Sequence, residues 1–142
     1  MANAKKPYRT YFLGDACLCW SLGDTIARLT SLRILWAYRR LKADKALPAL
    51  GVRDLVPSYT ALAVHAHPLC DWQAVRRVVD RCFASLPAAE KELLGRAARH
   101  ILPVAYRGED LPRVARLTGL AAEEVIRRHT SAQYMVAMIG FR

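Results

Sequence analysis

Thr60-Ala-Leu-Ala-Val-His-Ala66 and, after a short break, Asp71-Trp-Gln-Ala-Val-Arg-Arg-Val-Val-Asp-Arg-Cys-Phe83 decide the fold class. In the first stretch Leu62, Val64 and Ala66 alternate with Ala61, Ala63 and His65. That period of two is a strand with one apolar face, and it turns His65 away from Leu62 and Val64. In the second stretch Trp72, Val75, Val79, Cys82, Phe83 and Leu86 recur at helical spacing, with Arg76, Arg77, Asp80 and Arg81 opposite. The spacing predicts an amphipathic helix, and Asp71 stands where an N-cap carboxylate belongs.

The same order precedes this pair. Tyr8 to Leu13 and Cys17 to Leu22 read as strands around a Gly14-Asp15 turn. Gly23-Asp24 stops the second, with Asp24 as the expected N-cap of a helix from Thr25 to about Lys45. The apolar positions of that helix, among them Ile26, Leu29, Leu32, Ile34, Trp36 and Leu41, spread around its circumference. Such a helix is covered on two sides or lies at a subunit contact. Pro48 and Gly51 end it, and Val52 to Val56 supplies the strand before Pro57-Ser58-Tyr59. Strand, strand, helix, strand, strand, helix is satisfied by helices on one face of a mostly antiparallel sheet. The expected class is therefore α+β with a ferredoxin-like layer.

Farther along, the character changes. Residues 87–99 are rich in Ala, Glu and Arg and read as a helical linker, which separates an expected domain at 1–86 from another at 100–142. Ile101 to Tyr106 reads as a strand and Gly108-Glu109-Asp110 as a turn and cap. Leu111 to Thr118 and Ala121 to His129 read as two short helices hinged at Gly119, and Tyr134 to Phe141 as a strand apolar on both faces.

Composition narrows the function classes. The chain has 142 residues, 54% apolar and 24% charged, which is globular rather than disordered. Its apolar runs, Ala16 to Leu22 among them, are far shorter than the ~20 residues that cross a bilayer. Pro7, Arg9, Gly14 and Asp15 interrupt any signal-peptide pattern after Lys5 and Lys6, so a cytosolic (cytoplasmic) protein without a membrane partner is expected. The net charge of +10 suits an anionic partner, but the arginines are scattered and a solvated surface explains them.

Three constellations could carry chemistry. Cys17, Cys19, His65, His67 and Cys70 could meet at a zinc ion if their strands were neighbours; small buried core cysteines are the commoner use, and no metal is expected. The helix–Gly119–helix pattern has the shape of a helix-turn-helix. Glu123 and Glu124 would repel phosphates in the first turn of its second helix, so nucleic acid is not the expected partner. Glu109, Asp110, His100 and His129 are candidate proton carriers, with capping and helix-dipole contacts as their ordinary uses.

Several ordered blocks carry a family resemblance. Tyr8-Arg-Thr-Tyr-Phe-Leu-Gly-Asp15, Gly51-Val-Arg-Asp-Leu-Val-Pro-Ser-Tyr-Thr-Ala-Leu62 with Pro68, and Leu102-Pro-Val-Ala-Tyr-Arg-Gly-Glu109 come first. Val114-Ala-Arg-Leu-Thr-Gly-Leu120, Glu123-Glu-Val-Ile-Arg-Arg-His-Thr-Ser131 and Tyr134-Met-Val-Ala-Met-Ile-Gly-Phe141 follow. Together they resemble the KipI / allophanate hydrolase subunit 1 family, whose bacterial members include the B component of 5-oxoprolinase. The resemblance implies a ferredoxin-like domain followed by a cyclophilin-like β-barrel, here stopping inside the barrel. It implies a subunit that works with companion subunits to couple ATP hydrolysis to the opening of 5-oxo-L-proline into L-glutamate, the ATP being held by the assembly. This chain alone is then expected to be inactive. A non-catalytic, kinase-inhibitor-like module that binds a histidine kinase is the alternative, and a helix-turn-helix DNA-binding protein the second. Tyr106, Gly108, Glu109 and His129 match family positions implied to lie near the substrate or partner face, with catalytic residues unassigned. The family's Tyr-Gly-Gly-Glu turn is shortened here, with Arg107 in place of a glycine.

Overall fold

The computed structural model describes residues 6–94 and 98–138. Two compact units divide them, one formed by the residues up to 94 together with Ala137 and Met138, the other by residues 98–136.

The first unit is built on two β-hairpins. β1 (Arg9–Phe12) and β2 (Cys17–Ser21) pair antiparallel around Gly14, whose φ of 65° only glycine adopts without strain. β3 (Val52–Pro57) and β4 (Ala61–Ala66) form the second hairpin, and β2 pairs with β4 to give the sheet order β1-β2-β4-β3. β2 and β3 both run antiparallel to β4, so they are parallel to each other with β4 between them. The helix that joins β2 to β3 makes this a split β-α-β unit.

That helix, α1 (Arg28–Lys42), begins later than its sequence suggests. Its N-cap is Ala27, in extended backbone with no side-chain cap, and Asp24 instead pairs with Arg9. A cap carboxylate serves only the N–H groups two or three residues on. Thr25, Ile26 and Ala27 separate Asp24 from the first helical turn. A short α2 (Ala46–Ala49) follows, and Gly51 at φ 86° turns the chain into β3. α3 (Trp72–Ala84) starts as its sequence dictates, with Asp71 Oδ1 accepting from the N–H groups of Gln73 (2.9 Å) and Ala74 (3.0 Å). In residues 87–99 the described helix is α4 (Glu90–Leu94); residues 95–97 of the expected linker lie outside the described residues.

The core lies between one sheet face and α1 and α3. Leu18, Trp20, Leu62 and Val64 from the central strands meet Ile34, Ala37, Val75, Val79 and Phe83. The alternation read in β4 holds: Leu62, Val64 and Ala66 are buried while His65 is half-buried on the opposite face. α1 is covered on a second side by α4, whose Leu93 is buried. This accounts for the spread of apolar positions around α1.

In the second unit α5 (Asp110–Thr118) and α6 (Ala122–Ser131) form a helical hairpin. Gly119 stands at its corner in the left-handed conformation, φ 67° and ψ 21°. The expected strand at 101–106 forms no strand pairing among the described residues, and residues 133–138 likewise form no strand. A strand exists only through its neighbours' hydrogen bonds, and Pro103 removes one donor in advance. Ile139 to Phe141, the rest of the second expected strand, lie outside the described residues. Apolar side chains on both segments face water, with Ile101 89% and Val136 72% exposed. No helix among the described residues is long and apolar enough to cross a membrane.

Candidate functional site

Of the four family positions, the structure joins two. The hydroxyl of Tyr106, on the segment before α5, is hydrogen-bonded to Nδ1 of His129 in the last turn of α6. Their rings meet edge to face, with centroids 5.7 Å apart at 84°. Gly108 and Glu109 stand in the turn that leads into α5. Glu109 occupies the N-cap position with helical backbone and makes no side-chain cap bond, so the capping role its place suggests is not the one it takes. The Gly108 carbonyl accepts loosely from Leu111 N–H at 3.5 Å, and a Cβ on Gly108 would meet open space.

A third aromatic group completes this cluster. Tyr134 also packs against His129, ring centroids 5.3 Å apart at 41°, and its hydroxyl donates to the His129 carbonyl at 3.0 Å. That carbonyl belongs to the final turn of a helix, where the i+4 N–H partner is missing, so the phenol supplies the absent donor. The sequence offered one clue to Tyr134: an aromatic residue five positions beyond a helix-closing histidine. Its apolar neighbours pointed instead to a strand.

Glu124 shapes the charge near the start of α6. It takes both Arg127 (2.7 Å) and Arg128 (2.6 Å), and these hydrogen bonds hold its carboxyl down at about 2, against the weaker opposing effect of burial.

In the first unit the cysteine strand and the histidine strand are indeed neighbours. Cys17 faces His65 across the β2–β4 ladder, with Sγ 3.8 Å from Nε2. His67 and Cys70 are engaged elsewhere. Nδ1 of His67 accepts from the Leu69 N–H within its own turn, and Cys70 packs against the core. Burial pushes the Cys19 thiol up to about 11, helped by Cys17 beside it. Among the described residues no group of three or more His, Cys, Asp or Glu side chains is arranged to hold a metal ion.

Residues 8–142 match the family model of the carboxyltransferase domain, subdomain C and D. The B component of 5-oxoprolinase from Bacillus subtilis (strain 168) is 29% identical, over 94% of this chain and 59% of its own length. The corresponding 5-oxoprolinase component of Haemophilus influenzae is 28% identical, over 82% of this chain and 52% of its own length. This chain therefore spans little more than half the length of the curated relatives it matches. Among solved structures, that of TTHA0988 in space group P212121 superposes with a TM-score of 0.65 at 28% identity. The overlap covers 83% of this chain and 22% of that one.

Proposed function

The chain belongs to the carboxyltransferase domain family, subdomain C and D, and from that premise we propose that it serves as the B-type component of a larger 5-oxoprolinase assembly. In this reading companion subunits and bound ATP complete the machinery, and the assembly opens 5-oxo-L-proline to L-glutamate. The observation that carries the proposal is the pair of curated relatives, both named as the B component of 5-oxoprolinase, aligned over most of this chain. The finer fold reading follows the same premise. The split β-α-β unit, with β1 on the free side of β2, supports a ferredoxin-like first domain. The two exposed apolar segments flanking α5 and α6 support a second, cyclophilin-like domain whose strands need further polypeptide to pair with.

Opening a lactam requires its carbonyl oxygen to be held and polarised while charge develops there. Tyr106 and His129 are the groups of this chain best arranged to take part, since a neutral imidazole fixed on one nitrogen can donate from the other. The test is reconstitution: purify the chain with companion 5-oxoprolinase subunits and measure ATP-dependent release of L-glutamate. Release that depends on this chain is expected. An assembly that turns over equally well without it, or a chain that fails to co-purify with the companions, overturns the proposal.

A further inference from the structure

Tyr106 and Tyr134 reach His129 from separate segments, one ahead of α5 and one beyond α6, and they grip different atoms. Tyr106 engages the ring at Nδ1, while Tyr134 holds the backbone carbonyl and lays its ring beside the imidazole. Phenol is a stronger acid than the N–H of a neutral imidazole, so its O–H is the better donor and the Nδ1 lone pair accepts rather than the reverse. The imidazole proton then resides on Nε2. Nε2 has no hydrogen-bond partner among the described residues, and the His129 side chain is open to solvent.

We propose that Tyr106 and Tyr134 preset His129 as an outward Nε2–H donor for a carboxylate or amide carbonyl oxygen of a small ligand. Tyr106 fixes the tautomer. Tyr134 is a positioning residue: it ties down the turn from which the ring projects and packs its own ring against the imidazole, acting only through His129. An acceptor oxygen is the chemistry such a site selects, because a neutral Nε2–H offers a donor and no lone pair. The choice of 5-oxo-L-proline as probe rests on the function proposed above, whereas the assignment of the tautomer does not.

The experiment follows the imidazole nitrogens of His129 by NMR in the full chain, labelled with nitrogen-15 and assigned with His129→Gln. In the neutral ring, the expected result is a proton on Nε2 and an Nδ1 resonance displaced by hydrogen bonding. Tyr106→Phe should return that resonance to the position of a free lone pair. Added 5-oxo-L-proline should move the Nε2–H signal. Tyr106→Phe and Tyr134→Phe should each weaken that binding about twofold to tenfold, the worth of one hydrogen bond. Unchanged amide signals along α5 and α6 would show that the variants fold. A proton on Nδ1, an Nε2–H indifferent to 5-oxo-L-proline, or a Tyr134→Phe chain that binds like the wild type overturns the inference. None of these readouts needs companion subunits or turnover, so the proposal can fail while the reconstituted assembly still releases glutamate, and the reverse.

Discussion

The indole Nε1 of Trp20 donates to Oδ1 of Asp80 at 2.7 Å, joining the middle of the sheet to the middle of α3. Trp20 is fully buried, and this carboxylate gives its one polar atom a partner. Asp80 also takes the Lys6 ammonium at 2.6 Å. A single acidic side chain on the polar side of an amphipathic helix thus serves the core beneath it. Asp80→Ala should leave the indole N–H buried without an acceptor, at a cost of about 1–3 kcal/mol. Urea unfolding followed by tryptophan fluorescence would show this as a lower midpoint with an unchanged slope. An unaltered midpoint would mean that the indole finds water.

The same carboxylate should govern part of the acid response. Burial, the largest single influence, pushes its pKa up. Hydrogen bonds from Lys6, Trp20 and Tyr8 outweigh it and hold the group below the ordinary aspartate value. A depressed carboxylate contributes stability that is complete above its unfolded pKa and is lost as pH falls through the folded one. The stability gap between wild type and Asp80→Asn should therefore narrow between about pH 5 and about pH 2. Unfolding curves at intervals across that range test it, and a constant gap would contradict the linkage.

The first unit was legible because its signals are local and mutually consistent. Period two in β4, period 3.6 in α3 and the Asp71 cap each need only a few neighbouring residues, and all three agree. The late start of α1 was not legible, because the Arg9 that engages Asp24 lies on another element. In the second unit, Tyr106 and His129 were named by family pattern, but their contact spans 23 positions and no periodicity encodes it. Ile101 to Tyr106 has a strand's composition and, among the described residues, no strand's partner. Composition states what a segment could pair with; only the fold decides whether anything is there.

α4 gives a clean separation of packing from charge. Its Leu93 is 1% exposed against α1, whereas the Arg28–Glu90 ion pair at 2.7 Å lies open to solvent. Leu93→Ala should cost about 2–5 kcal/mol, and Glu90→Gln no more than about 1 kcal/mol. Thermal unfolding of both variants would rank them. Equal effects would mean that α4 is held by its charges rather than by its buried leucine.

Thiol chemistry should distinguish the four free cysteines. Cys17, Cys19 and Cys82 are buried, and burial pushes the Cys82 thiol, like that of Cys19, up to about 11. Cys70 is partly exposed, with its own thiol raised chiefly by burial. Reactivity follows the accessible thiolate, so in the native chain iodoacetamide should modify Cys70 first and alone. Mass spectrometry of a time course would then show one early adduct, and four in concentrated urea. A second native adduct forming as fast would mean that the core opens, at the sheet if it maps to Cys17 or Cys19 and at α3 if it maps to Cys82.

Gly119 tests whether the corner between α5 and α6 is set by backbone conformation or by space. A Cβ there would meet no atom within 4 Å, so a methyl group fits without collision. Its φ of 67° nevertheless lies where an L-residue is strained by about 1–2 kcal/mol. The corner is secured by the Ala115 carbonyl, which accepts from Gly119 N–H and from Leu120 N–H at 3.1 Å. No side chain in α5 or α6 is buried, so packing there cannot absorb such strain readily. Gly119→Ala should therefore speed amide exchange at Leu120 and through α6, while exchange in β2 and β4 stays at the wild-type rate. Gly119→Asn should recover part of the protection, because asparagine tolerates the left-handed region better than alanine does. If alanine and asparagine exchange alike at wild-type rates, the corner is held by something other than the handedness of this one residue.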